Sequence, residues 1–128
     1  MTIEEAIREA EETLPGGKPS PDGRTDARWL AVIAVGEFIE TNPQEVWEFI
    51  RRWGVHRCDD IRTAVATCLL EHLLGHDFET YFPQVKAAVR ESPLFADMFC
   101  ICSKFDQAEE PVNAKRFDRL QRKCGRMR

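Results

Sequence analysis

Cys68, His72 and His76 recur at intervals of four in CLLEHLLGHDFE, with Glu71 and Asp77 beside them. On a helix that spacing places a thiol and two imidazoles along one face, which is a plausible donor set for zinc. The surrounding residues argue against it. At about 100° per residue from Ile61, Cys68 falls at about −20°, His72 at about +20° and Val65 at about +40°. His72 is therefore expected in the middle of the apolar arc, as a buried neutral imidazole hydrogen-bonded to its surroundings. Gly75 reads as a helix terminator, which puts His76 in the turn and leaves Asp77 to cap the next helix. The glutamate precedes the first histidine, unlike the order in a zincin helix. No metal is expected.

Cys100 and Cys102 are two apart, and helical residues at that spacing point about 200° away from each other, too divergent for a shared ligand or an easy disulfide. Both read as packed small apolar groups. Cys58, beside His56 and Arg57, is the thiol most exposed by its context, but that Cys–His pair lacks a third group to orient it. The sequence has no glycine-rich phosphate loop, no GxSxG and no separated carboxylate pair, and Glu37 and Glu71 fall on outward-facing arcs. The expectation is a protein without catalytic residues or cofactor.

Composition sets the frame for these residues. At 128 residues the chain is long enough to bury one core, and it is 43% hydrophobic and 31% charged. No apolar run approaches the roughly 18 residues of a membrane span. MTIEEAIREAEE is acidic and amphipathic, unlike a signal or transit peptide. Five cysteines, an odd number with three in apolar runs, fit reduced thiols in the cytoplasm.

Helix signals run the length of the chain. Thr2 with Glu5 is a capping box, and Ile3, Ala6, Ile7 and Ala10 share a face, giving an N-terminal amphipathic helix over 1–14. The stretch 15–25, rich in proline and glycine, reads as a linker. From Asp26 the pattern is helix after helix. DARWLAVIAVGEFIET comes first, then TNPQEVWEFIRRWG with Asn42 as cap, Pro43 at the first position and Gly54 at the end. DDIRTAVATCLLEHLLG follows, capped by Asp59 and closed by Gly75. DFETYFPQVKAAVRE carries Pro83 inside it as a kink or late start. Ser92-Pro93 opens LFADMFCICSKF, and VNAKRFDRLQRKCG is the last. No stretch shows a convincing strand period.

The helices pair, and the pairs repeat. A shift of 34 aligns Ala34, Cys68 and Cys102, and Ile33, Thr67 and Ile101. A shift of 35 aligns Trp47, Phe82 and Phe117, and Ile50, Val85 and Leu120. Two helices per unit at this period mark an α-solenoid. DDIRTAVATCLLEHLL, with its acidic start, Arg62 and apolar spacing to Leu73, resembles the first helix of a HEAT or armadillo-like repeat. ARWLAVIAVGEFI is similar, with Arg28-Trp29 ahead of its apolar run, while the third pair departs most and reads as an end cap. The expected fold is all-α, a short HEAT-like solenoid of about three antiparallel helix pairs over 26–128, preceded by the N-terminal helix and linker.

Such arrays serve mainly as scaffolds for other macromolecules, and the resemblance implies that the second helices line the recognition face. Their polar arcs carry Arg51 and Arg52, then Lys86 and Arg90, then Lys115, Arg119, Arg122 and Arg126. In the first two helices acids come early and bases late, as the helix dipole favours. Only the last exceeds that: Lys115, Arg116, Arg119, Arg122, Lys123, Arg126 and Arg128 face a single acid, Asp118, between 115 and 128. The leading expectation is a scaffold, adaptor or inhibitor that binds another protein. Nucleic acid is second, because an overall charge of −4 repels a polyanion. A homo-oligomer stacked through exposed apolar ends is third, and a tryptophan exposed at an end would mark a protein interface.

Overall fold

The computed structural model describes residues 1–15 and 26–127, and among them every regular element is helical. Residues 16–25 of the expected linker lie outside the described residues. Helix α1 spans Ile3–Thr13, α2 Ala27–Gly36 and α3 Pro43–Trp53. Next, α4 (Asp59–Val65), a π turn (Ala66–Leu70) and α5 (Glu71–His76) run on as one central helix, residues 59–76. Helix α6 spans Phe78–Glu91, α7 Pro93–Ile101, and α8 Pro111–Met127 after a 3₁₀ turn at Asp106–Glu109. None of these helices is long and apolar enough to cross a membrane.

Short polar side chains set the helix starts. Thr2 accepts from the Glu5 N–H at 3.2 Å, Asp26 from Arg28 at 2.9 Å, Asp77 from Thr80 at 3.3 Å and Ser92 from Phe95 at 3.2 Å. Each satisfies a backbone donor that the first turn leaves unpaired. Two expected caps differ. Asn42 holds the cap position of α3 but makes no capping bond, because its side-chain oxygen accepts from Thr41 Oγ1 at 2.9 Å. Asp59 is the first residue of α4, and Cys58 occupies the cap position. Pro83 lies within α6, which continues through it.

The central helix is the hub. Helices α2, α3 and α7 all pack against it, α6 rests on α5, α7 and α8, and α1 covers α2. Ile3, Ala6, Ala10 and Leu14 of α1 are buried, so this leading helix belongs to the core. The columns set by the shift of 35 share one environment: Trp47, Phe82 and Phe117, and Ile50, Val85 and Leu120, are all buried. Ring contacts knit the column residues to neighbouring helices, Trp47 meeting Phe95 edge-on at 6.0 Å and Phe99 lying 4.9 Å from Phe117.

A second regularity joins α2 and the central helix. Arg28 and Arg62 are both buried, at the same offset of 34 residues. Arg28 bonds to Asp26 on its own helix start and to Asp60 on the next, while Trp29 Nε1 donates to Asp60 at 3.2 Å. Arg62 pairs with Asp59 at its own start and reaches Asp97 of α7 at 3.1 Å. Its guanidinium also donates to the carbonyls of His56 and Arg57, at 2.8 and 2.9 Å. The Arg28 guanidinium holds the Asp26 carboxyl below its usual range, outweighing burial, which pushes the other way.

The structure corrects three expectations on the central helix, and the π turn accounts for the first. One such turn adds the equivalent of a residue, so everything after it is turned back by about 100°. Leu69 and Leu73 take the buried centre, and His72 moves to the flank, where its side chain is 48% exposed. The expected core histidine instead stacks on Phe105 at 5.1 Å. Glu71, expected outward, is buried because the chain beyond α7 crosses over it, and its carboxylate accepts the Ser103 N–H at 2.8 Å. Gly75 does not end the helix, which runs to His76. Its missing side chain makes room for that same crossing: a Cβ there would lie 2.9 Å from the Phe105 carbonyl oxygen.

Candidate functional site

Helices α6 and α8 lie side by side with a groove of about 300 Å³ between them, lined by Phe82, Pro83, Lys86, Arg116, Arg119, Leu120 and Lys123. Helical spacing puts the cations there: Arg116, Arg119 and Lys123 recur at i, i+3 and i+7 on one stripe of α8. Phe117, Leu120 and Cys124 are the buried stripe of the same helix. The cations therefore rise from a helix anchored on its other face.

Arg116 is fixed in place. Its guanidinium lies 5.0 Å from the Phe82 ring centre and 5.3 Å from that of Phe78, and Nη1 donates to Glu79 at 3.2 Å. That bond uses one of its five N–H donors. Lys86, Arg119 and Lys123 are exposed, and among the described residues none of the three forms an ion pair. The site is a cationic rim over a narrow apolar floor.

The other expected contact residues are dispersed. Arg52 reaches back to Glu11 of α1 at 3.4 Å, through an exposed pair. Arg51 borders a separate depression with Trp47, Gln84, Ala87, Ala88 and Glu91. Arg122 borders another with Cys100, Asp118 and Gln121. Arg90 and Lys115 are exposed, and the Arg126 side chain lies outside the described residues. Of the expected set, the groove brings together Lys86 and Arg119. Arg116 and Lys123, which in sequence belong to the terminal run of charge, complete it, and their i, i+7 spacing about Arg119 is the signal that marks them.

His72 and His76 border a second cleft, of about 540 Å³, lined also by Gly36, Glu37, Ile39, Glu40, Gly75, Asp106 and Gln107. Among the described residues no three His, Cys, Asp or Glu side chains are grouped to hold a metal ion. Gln107 is occupied in structure, donating to the His76 carbonyl at 2.8 Å and accepting from the Phe78 N–H at 2.9 Å. Asp106 adopts a positive φ of 47° to open the 3₁₀ turn, a conformation aspartate tolerates. Beneath this corner, burial pushes the Glu71 carboxyl up and the Cys102 thiol well up. A thiol so shifted is a weak nucleophile.

The tryptophans are not at free ends. Trp47 is buried, while Trp29 and Trp53 are half-buried, and Trp53 stacks on His56 at 5.7 Å. Met1, Leu30, Ile33 and Val112 are the more exposed large apolar residues among those described. Compared with known proteins, the chain matches no family model, no curated protein and no solved structure.

Proposed function

We propose that this chain is a protein-binding module without catalytic function, a short α-solenoid of HEAT-like character whose second helices, α3, α6 and α8, form the recognition face. In sequence the pairs are α2 with α3, the central helix with α6, and α7 with α8; the last two pack directly, while α2 packs on α1 and the central helix. Three features support the repeat. Buried columns recur at 35 residues, buried arginines recur at 34, and each first helix contacts the next. The single observation that carries the function is the groove between two second helices, where Lys86, Arg119 and Lys123 stand over an apolar floor without an ion-pair partner among the described residues.

Site-specific photo-crosslinking tests this reading. A crosslinker placed at Arg51, Lys86 or Arg119 is expected to trap one protein species in extracts of the native host, and one placed at Ile33 of α2 to trap none. Adducts confined to Ile33, or absent from all four positions, would overturn it. Nucleic acid remains the second reading, favoured by the excess of cations on α8.

A further inference from the structure

We propose that the α6–α8 groove is the docking site for an acidic peptide segment of a partner protein, one that carries an aliphatic or aromatic anchor among its carboxylates. The inference rests on the protein-binding reading above and specifies the partner's chemistry.

Charge argues for the acidic segment. The body of the chain is acidic: residues 1–64 hold thirteen acidic and eight basic side chains. Four cations nevertheless converge on one groove, and among the described residues only Arg116 of the four is held by a carboxylate, Glu79. An incoming carboxylate finds Arg116 already held against two rings, so little side-chain freedom is lost when it binds. The flexible Lys86, Arg119 and Lys123 supply the surrounding positive field.

Shape argues for the anchor. Phe82, Pro83 and Leu120 make the floor apolar, and a volume of about 300 Å³ has room for one or two side chains. A carboxylate alone would leave that floor wet. An aliphatic or aromatic side chain covers it, while flanking acids meet the rim.

The arrangement disfavours a duplex. Duplex DNA carries a charge about every 1.7 Å along its axis and needs a continuous cationic band. Here the cations of α8 divide: Arg116, Arg119 and Lys123 face α6, whereas Arg122 borders the depression beside Cys100 on α7. Glu79 also stands at the rim, 73% exposed.

Fluorescence anisotropy on the full chain decides the matter with three labelled probes: a peptide of Glu and Asp with Leu and Trp interspersed, an equally charged peptide with Ser and Gly in their place, and a short DNA duplex. The anchored acidic peptide is expected to bind about tenfold more tightly than the unanchored one, the gain expected for burying one apolar side chain. Arg119→Glu with Lys123→Glu should weaken it by about tenfold or more, and Glu79→Ala should strengthen it by freeing Arg116. Thermal melts of the variants matching the parent would confirm that the fold is intact. Equal binding of both peptides, tighter binding of the duplex, or no peptide binding overturns the proposal. If the peptides fail while a crosslinker at Arg51 still traps a protein partner, the protein-binding reading survives and the groove assignment falls.

Discussion

Glu71 shows how far a single residue can depart from its helical wheel. Its carboxyl is pushed up by burial, opposed by the Ser103 N–H and by His72, 3.8 Å away. Because the folded value lies above the ordinary 4.5, the neutral acid is the better tolerated form in the core. The stability tied to that form is complete below 4.5 and is lost as pH rises through the folded value. Glu71→Gln keeps an oxygen for Ser103 but cannot ionise. In urea titrations the variant is expected to gain on the parent as pH rises from about 4.5 to 7, and a variant that loses ground over that interval would contradict the assignment. Asp26 contributes in the opposite sense, its lowered value giving stability above 3.8 that is lost as pH falls. Comparing variant with parent isolates Glu71 from it. Local spacing could not show this burial, because the chain that covers Glu71 arrives 32 residues later.

At the scale of elements, the readable signals were those with a local physical cause. Asp77 and Ser92 cap where their types and positions said they would, and Pro93 opens α7. Trp47, Phe82 and Phe117, aligned at 35 residues, share burial, whereas the columns aligned at 34 do not: Ile33 is exposed and Thr67 and Ile101 are half-buried. What misled was the assumption of uniform 100° steps through residues 59–76, since a π turn in ATCLL leaves no compositional mark. The arginine ladder was present at the same 34-residue offset, but a pair of arginines reads as surface until the aspartates they meet are placed. That ladder carries the second prediction. Arg62→Ala would leave the His56 and Arg57 carbonyls without their donor and remove a guanidinium from the partly buried Asp97 carboxylate. Chemical denaturation is expected to show a loss of about 2–3 kcal/mol, as for buried hydrogen-bonding groups left without a partner. Arg62→Lys, lacking the planar fork, should recover less than half of it. The exposed Arg52–Glu11 pair sets the contrast, with Arg52→Ala costing about 1 kcal/mol or less. A loss near that lower figure for Arg62→Ala would show that the ladder does not hold the helices together.

Over the whole molecule, charge and packing are separated in a way that can be tested. The buried stripe of α8, Phe117, Leu120 and Cys124, faces the core, and Arg119 and Arg122 stand exposed. Exposed side chains away from caps and buried networks typically change stability by about 0.5 kcal/mol or less. Reversing both to Glu is therefore expected to leave the thermal melt nearly unchanged. The same variant separates the two kinds of partner. Neutralised phosphates release counterions, so a protein that reads nucleic acid through α8 would bind duplex with steep salt dependence and lose that binding on reversal. An overall charge of −4 and cations split between two sides of α8 predict otherwise. Gel-shift titration of the parent protein at physiological salt should give no duplex binding tighter than roughly 10⁻⁵ M, the non-specific range. Sub-micromolar binding abolished by Arg119→Glu with Arg122→Glu would place nucleic acid ahead of protein as the natural partner.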